Sequence, residues 1–127
     1  MPIPNRPTGL VVPLLRGDVY QVNLDPTVGG EMKKSRPVLV VQNDIGNKYS
    51  HVTIIAPITS AKGTTRPLPI MVFVGEGEGG LTSDGYVHCG QIRTVDKDLS
   101  LVHKWGHLSP KRMHEIDKAL RISLALA

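Results

Sequence analysis

The sequence predicts a mainly β (α+β) fold, namely a small barrel or strongly curved sheet of five to seven short strands with one C-terminal helix. Two observations lead to this prediction. Apolar residues recur mostly in short alternating or continuous runs separated by turn residues, which is typical of strands. Only the stretch that follows Ser109 has the 3.6-residue apolar period of an amphipathic helix. The 127 residues are enough for one core and one domain.

The stretch 35–44 contains the strand around which the rest of the chain is arranged. Val38 begins four consecutive aliphatic residues, a pattern typical of a strand buried on both faces. Pro37 suits the first position of that strand, because no ladder donor is needed there. Arg36 shares strand parity with Val38, so its side chain should project at the edge of the core. An arginine there is costly unless it binds an anion, which first indicates a phosphate site.

The other strands are predicted from the same kinds of pattern. Residues 18–25 alternate between apolar and polar and predict a half-buried strand, and a long charged loop follows at 25–35. Pro57 lies inside a later strand and indicates an edge or a bulge. The remaining expected elements are a turn at 44–47, strands at 52–59 and 70–74, one strand or two broken at Gly90 over 86–95, and a short strand within 99–108.

The C-terminal helix is predicted from its start signal and its period. Ser109 is a good N-cap residue, and Pro110 suits the first helical position. One face must cover the sheet, and because 122–127 is apolar nearly all round, we expect another face to meet a second subunit. The proline-containing stretch 1–14 is interpreted as a flexible lead-in to a single domain over 15–127.

Charge and composition favour an anionic partner. The net charge is +4, and the segment from Lys33 to Arg66 holds six cations against one carboxylate, which favours a polyanion or an acidic peptide. No run of eighteen apolar residues exists, so we expect no membrane span. The single cysteine, Cys89, allows no intrachain disulfide, and without a signal peptide this predicts a cytoplasmic protein.

Two other patterns indicate little chemistry. Residues 75–80 formally match G-x-G-x-x-G, but no helix pattern follows, and two glutamates would repel phosphates, so we expect a turn. The five histidines share no metal-ligand spacing, and we expect neither a metal nor another cofactor. Cys89 is better explained as a buried strand residue than as a nucleophile.

The better constellation combines Arg36, Thr59 and the loop residue Glu31. A guanidinium forks onto phosphate oxygens and stays charged, and a hydroxyl supplies a further donor. RNA cleavage needs no metal, because the 2′-hydroxyl is a built-in nucleophile that the protein need only orient. The alternative from the residues alone stays open: Arg36 pairs with Asp18 or Asp44, and Thr59 is an ordinary strand residue.

The chain resembles the MazF/PemK family of toxins from bacterial toxin–antitoxin modules, from residue 16 to the C-terminus. The motifs that carry the resemblance are Arg-Gly-Asp-Val-Tyr at 16–20, Asp-Pro at 25–26 with Gly-Gly-Glu at 29–31, Arg-Pro-Val-Leu-Val at 36–40, Gln-Asn-Asp at 42–44, Ile-Thr-Ser at 58–60, Gln-Ile-Arg-Thr-Val-Asp at 91–96 and Leu-Ala-Leu at 124–126.

The resemblance implies an SH3-like barrel that forms a homodimer, binds an acidic antitoxin and, with it, DNA. It also implies a sequence-specific, metal-independent endoribonuclease that cleaves single-stranded mRNA to 2′,3′-cyclic phosphate and 5′-hydroxyl ends. The family's catalytic arginine and threonine fall on Arg36 and Thr59, and a loop glutamate of some members falls on Glu31. The residues expected to hold RNA are Lys33, Lys34, Ser60, Lys62, Arg66 and Gln91.

Two alternative functions compete with this interpretation. A small β-barrel with a basic rim could bind nucleic acid or peptide without cleaving anything. A toxin of the same fold could instead poison DNA gyrase, although such a relative lacks the Arg-Pro-Val strand start and the Thr-Ser pair.

Overall fold

The computed structural model describes residues 13–23, 36–64 and 66–127. Within them the chain forms a seven-stranded antiparallel sheet and a long C-terminal helix, which confirms the predicted mainly β fold. The strands are β1 (Asp18–Val22), β2 (Arg36–Val40), β3 (Val52–Ser60), β4 (Met71–Val74), β5 (Gly85–His88), β6 (Arg93–Asp96) and β7 (Leu101–His107); the helices are α1 (Asp44–Tyr49), α2 (Lys97–Ser100) and α3 (Pro110–Leu124), and a 3₁₀ turn covers Glu78–Gly80.

The strands lie in the order β4-β5-β3-β2-β1-β7. Strand β6 pairs with the first part of β3, and β5 pairs with the last part of it. The sheet is open, because β4 and β7 at its two ends are not paired with each other in the described part of the chain. Strand β3 is an interior strand, so of the edge or bulge predicted from Pro57 the edge is wrong. Pro57 stands instead between the segment paired with β6 and the segment paired with β5. A residue without an amide donor is tolerated best at such a change of neighbour.

Buried side chains form two clusters, one on each face of the sheet. The larger cluster includes Leu39, Ile58 and Val87 from the sheet and is covered by Ile116 and Ala119 of α3. The smaller cluster lies on the other face, and its members are Leu14, Tyr20, Val22, Val38, Val40, Ile55, Val95 and Leu101. The central strand β2 therefore packs on both faces, as its continuous apolar run predicted.

Strand β1 is buried on both faces, so the half-buried strand predicted at 18–25 is wrong in this respect. Val19 belongs to the larger cluster, whereas Tyr20 and Val22 belong to the smaller one. The cause is its position: β1 lies between β2 and β7, where apolar clusters cover both sides of the sheet. The alternation in the sequence does not report this.

Three short elements differ from the sequence prediction. Residues 44–47, predicted as a turn, begin helix α1, because Asn43 caps it by accepting a 2.7 Å hydrogen bond from the Gly46 amide. Helix α2 was not predicted. Strand β7 is one seven-residue strand along β1 rather than a short fragment.

Helix α3 begins as predicted, with Ser109 accepting a hydrogen bond from the Arg112 amide and Pro110 at the first position. The glycines of 75–80 form a turn rather than a nucleotide loop. At Gly80, with φ of +80°, a β-carbon would lie 2.3 Å from the Trp105 carbonyl oxygen, so only glycine lets this turn approach β7. No helix in the described residues is long and apolar enough to cross a membrane.

Candidate active site

Strands β2 and β3 bring Arg36 and Thr59 to adjacent strand ends. Val38 lies opposite Pro57 in this antiparallel pair, and continuing the register by two residues places Arg36 opposite Thr59. On the other side of β3, Thr59 lies opposite Tyr86 of β5. Since alternate residues of a strand share a face, the side chains of Arg36, Thr59 and Tyr86 form one row across three strands.

A pocket of about 260 Å³ opens at these strand ends. Its lining combines a guanidinium, several hydroxyls, one carboxylate and apolar side chains, and the residues are Arg36, Pro37, Ile58, Thr59, Ser60, Leu81, Thr82, Ser83, Asp84, Gly85 and Trp105. An arginine and several hydroxyl-bearing residues around one concavity are suited to an anionic group such as a phosphate.

Arg36 is exposed, and its guanidinium has no ion-pair partner among the described residues. The pairing with Asp18 or Asp44 that the sequence left open is not found. Asp18 is held by His107 and Lys104, and Asp44 accepts a hydrogen bond from the Arg16 amide. The charge of Arg36 is therefore available to a ligand at the mouth of the pocket.

Thr59 has a partner that the sequence analysis did not identify. Its Oγ1 lies 2.7 Å from Nε2 of His88, a half-buried residue on β5. The two side chains are diagonal neighbours on one face of the sheet, since Thr59 faces Tyr86 and His88 is two residues further along. The sequence alone does not show that the two residues are neighbours, because 29 residues separate Thr59 from His88 in the chain. Only the pairing register of β3 and β5 brings them together.

The loop before β5 supplies further pocket residues that the sequence analysis missed. Thr82, Ser83 and Asp84 line the pocket, and Asp84 Oδ1 accepts a 2.8 Å hydrogen bond from the Glu76 amide. Their composition is that of an ordinary polar turn, so nothing in the sequence distinguishes them from other loop residues.

The predicted RNA-binding residues fall at different distances from this pocket. Ser60 lines it and also lines a neighbouring concavity together with Lys62. Arg66 is exposed in the loop after β3 and lines neither concavity. Gln91 is exposed in the turn after β5, where its backbone amide donates a hydrogen bond to the His88 carbonyl oxygen. This turn lies at the end of β5 that is away from the pocket. Glu31, Lys33 and Lys34 lie outside the described residues.

The described residues contain no group of three His, Cys, Asp or Glu side chains that could hold a metal ion. Cys89 is fully buried, as predicted, but it lies in the turn directly after β5 rather than within a strand. Burial raises the pKa of its thiol to about 11, so the thiol is protonated near neutral pH and is a poor nucleophile.

Solved structures with the same fold define the class of protein. An endoribonuclease from a mycobacterial species superimposes with a TM-score of 0.72 at 30% identity, over 91% of this chain and 94% of that one. A second mycobacterial endoribonuclease, solved in complex with its cognate antitoxin, gives a TM-score of 0.73 at 32% identity, over 90% of this chain and 97% of that one. The fold is thus that of small bacterial endoribonucleases, some of which bind an antitoxin.

Residues 15–124 match the family described as PemK-like, MazF-like toxin of type II toxin-antitoxin system, and the chain belongs to this family. Endoribonuclease EndoA of Bacillus subtilis is 46% identical over 111 residues, which cover 87% of this chain and 94% of that protein. Endoribonuclease MazF of Staphylococcus saprophyticus is 41% identical over 111 residues, which cover 87% of this chain and 91% of that protein. The resemblance inferred from the motifs is confirmed.

Proposed function

We propose that this toxin is a sequence-specific, metal-independent endoribonuclease that cleaves single-stranded mRNA at the Arg36–Thr59 site. One observation carries the proposal: both side chains stand at facing strand ends beside a pocket, and the Arg36 guanidinium has no ion-pair partner among the described residues. The endoribonuclease activity named for the relatives from Bacillus subtilis and Staphylococcus saprophyticus supports the same reaction class.

The proposed reaction is an internal transesterification. The 2′-hydroxyl of one ribose gives its proton to a base as its oxygen attacks the adjacent phosphorus. The bond to the 5′-oxygen of the next nucleotide breaks, that oxygen takes a proton from solvent, and the products end in a 2′,3′-cyclic phosphate and a 5′-hydroxyl. Arg36 binds the non-bridging oxygens and stabilises the negative charge that develops on the pentacoordinate phosphorus. The protein contributes orientation as well, since in-line geometry is what a flexible RNA lacks.

Thr59 donates a hydrogen bond from its hydroxyl to a non-bridging oxygen, and His88 holds the hydroxyl in the orientation to do so. We assign the Nε2–H tautomer to His88, which then donates to Thr59 Oγ1 across the 2.7 Å contact. With its oxygen already accepting, the hydroxyl directs its own hydrogen away from His88. His88 is thus a positioning residue that acts through Thr59.

The base and the flanking contacts complete the proposal. Arginine is ordinarily too strongly protonated to act as a base, so the base we propose is the loop carboxylate of Glu31. Six residues are proposed to bind RNA beside the scissile phosphate through charge and hydrogen bonds: Lys33, Lys34, Ser60, Lys62, Arg66 and Gln91. Neutralising the basic ones should weaken binding and reduce its salt dependence.

The proposed partners follow from charge and exposed apolar surface. An acidic antitoxin would bind the basic segment from Lys33 to Arg66 and block the site, and the mycobacterial relative solved with its cognate antitoxin supports this. We also propose a cytoplasmic homodimer. The end of α3 and the residues after it expose Ile122, Leu124 and Leu126, and such a patch on a small protein favours a subunit contact.

The test is cleavage of a long single-stranded RNA in EDTA, with both new ends mapped, by antitoxin-free wild type and by Arg36→Ala. We expect cuts at one short sequence, with 5′-hydroxyl ends, and no cuts by Arg36→Ala at an unchanged melting temperature. Full activity of the variant would refute the site. No cutting by wild type would favour the non-catalytic binding module, and gyrase inhibition would then be assayed.

A further inference from the structure

The row that contains Arg36 and Thr59 continues into an aromatic pair that neither catalysis nor the core uses. Tyr86 lies opposite Thr59 on β5, and Phe73 lies opposite Tyr86 on β4. Adjacent strands are about 5 Å apart, so the two rings lie at about 5 and 10 Å from Thr59 along the sheet. The only phenylalanine of the chain thus stands two row positions beyond Thr59.

Strand β4 shows that Phe73 does not belong to the core. Its neighbours Val72 and Val74 are buried in the larger apolar cluster beneath the sheet, so Phe73 must point to the opposite face. On that face Phe73 is 41% exposed, at a strand position that is ordinarily polar. An exposed aromatic residue on the terminal strand of an open sheet invites aggregation unless a ligand uses it.

The geometry of the two rings is suited to a planar ligand. Their centroids are 5.7 Å apart and their planes meet at 73°, an edge-to-face contact that fixes both ring orientations. In such a pair, the ring that contributes its edge keeps both of its faces free of the other ring. The partly exposed Phe73 ring therefore offers surface on which a planar aromatic ligand can stack.

We propose that Phe73 and Tyr86 form a stacking platform for a nucleobase next to the scissile phosphate. The proposal rests on the proposed RNA cleavage and adds a binding subsite to it. Single-stranded RNA is the occupant that the row favours, because a phosphate held by Arg36 and Thr59 places a neighbouring base above β5 and β4. Stacking on aromatic rings is the usual way in which proteins hold unpaired bases.

The test uses the RNA sequence mapped for wild type, with a 2′-deoxy sugar at the cleaved nucleotide so that it binds without being cut. Affinity is measured for wild type, Phe73→Ala, Phe73→Leu and Phe73→Trp. Phe73→Leu keeps apolar surface but removes the ring, whereas Phe73→Trp keeps a ring. Val102→Ala is the matched control, because Val102 is also an exposed apolar residue, on β7 at the other end of the sheet.

We expect Phe73→Ala and Phe73→Leu to weaken binding roughly 5- to 100-fold, the range that loss of one stacked base produces. Phe73→Trp and Val102→Ala should bind within about threefold of wild type by the same reasoning. A 2-aminopurine placed beside the scissile phosphate should be quenched by wild type and by Phe73→Trp, but not by Phe73→Leu.

The platform would be overturned if Phe73→Leu bound the RNA and quenched 2-aminopurine as strongly as wild type does. A change of oligomeric state or of antitoxin binding in Phe73→Leu with RNA affinity intact would also overturn it, and would assign the face to a protein partner. These outcomes are distinguishable from failure of the proposed function. If wild type neither binds nor cuts RNA, both proposals fall; if it cuts RNA and Phe73→Leu binds as wild type does, only the platform falls.

Discussion

The two ends of the β1–β2 pair treat charge in opposite ways. At one end Asp18 is fully buried, yet its carboxylate accepts hydrogen bonds from the Leu15 amide and from His107, and Lys104 lies 3.4 Å away. At the other end Arg36 is exposed, and its guanidinium has no ion-pair partner among the described residues. The same ladder therefore carries one charge that the fold satisfies completely and one that it leaves for a ligand.

Each end also has a histidine at hydrogen-bond distance, and the contrast repeats there. His107 lies 2.7 Å from the buried carboxylate of Asp18, and His88 lies 2.7 Å from the hydroxyl of Thr59. The first pair joins β7 to β1 and holds the sheet together. The second holds a hydroxyl beside an open pocket. The two contact distances are equal, so distance alone does not separate a structural pair from a functional one. The difference is that the Asp18 carboxylate is buried, whereas the Thr59 hydroxyl lies beside an open pocket where it can bind a ligand.

The largest effect should come from changing the shape but not the charge of Arg36. Arg36→Lys loses the two-pronged grip on phosphate, so we expect the cleavage rate to fall roughly 10²- to 10³-fold, with little change in stability. The matched variant is Arg112→Lys, because Arg112 forks onto Glu78 at 2.8 and 2.9 Å. It should lower the melting temperature and leave cleavage intact. Equal activity losses in both variants would contradict the comparison.

The opposite end should show the reverse outcome. Asp18→Asn keeps the volume but removes the charge that His107 and Lys104 face, and we expect about 2–3 kcal/mol of destabilisation. Denaturant unfolding measures it, and cleavage by the folded protein should be unchanged. Asp117→Asn is the control, because its ion pair with Arg16 is partly exposed and should contribute about 1 kcal/mol or less.

The two histidines allow the same comparison, with one substitution of His107 and two of His88. His107→Gln should destabilise the protein without slowing cleavage. His88→Leu should slow cleavage about tenfold through kcat, with KM nearly unchanged, because a hydroxyl without its positioning donor orients less well. His88→Gln, which can still donate, should recover part of that loss. A purely structural role for His88 would instead give a lower melting temperature and no recovery of kcat.

Titration of Glu78 should give a smaller effect on stability. Hydrogen bonds from Arg112 are the main cause that lowers the pKa of Glu78 below its usual 4.5, so the carboxylate favours the folded state. That contribution is fully present above pH 4.5 and is lost as the pH falls through the lowered pKa. Glu78→Gln should therefore flatten the acid limb of the stability profile. Glu76→Gln is the control, since Glu76 has no ion-pair partner among the described residues; an equally flattened profile there would contradict the assignment.

Much of this contrast could be predicted from the sequence. The apolar run of β2 predicted a strand buried on both faces. Arg36 at the start of that strand indicated an anionic ligand, because an arginine at the edge of a core is costly without one. The capping signals of Ser109 and Pro110 located the start of α3, because capping depends on neighbours in the chain. Local rules sufficed wherever the interacting groups were close in sequence.

The rest depended on strand pairing, which a single sequence does not specify. His88 became part of the site only through the β3–β5 register, and Phe73 only through the next register along. Likewise, the alternation in β1 predicted one buried face, but the second apolar cluster covers the other. The turn composition at 44–47 misled for a different reason: Asp, Asn and Gly favour turns and short capped helices alike.

The last prediction is that substitution of Arg36 leaves the alkylation rate of Cys89 unchanged. It tests whether the side chain of Arg36 contributes to the packing of the core. Cys89 lies in the larger core cluster, and burial raises the pKa of its thiol to about 11. The thiol should stay protonated and react slowly with iodoacetamide at pH 8 until the core opens. The alkylation rate should be the same for Arg36→Lys as for wild type, but faster for Asp18→Asn. Faster alkylation of Arg36→Lys would show that its loss of activity comes through altered packing of the core. The two ends of the β1–β2 pair would then both serve the stability of the fold, and the contrast between Asp18 and Arg36 would be wrong.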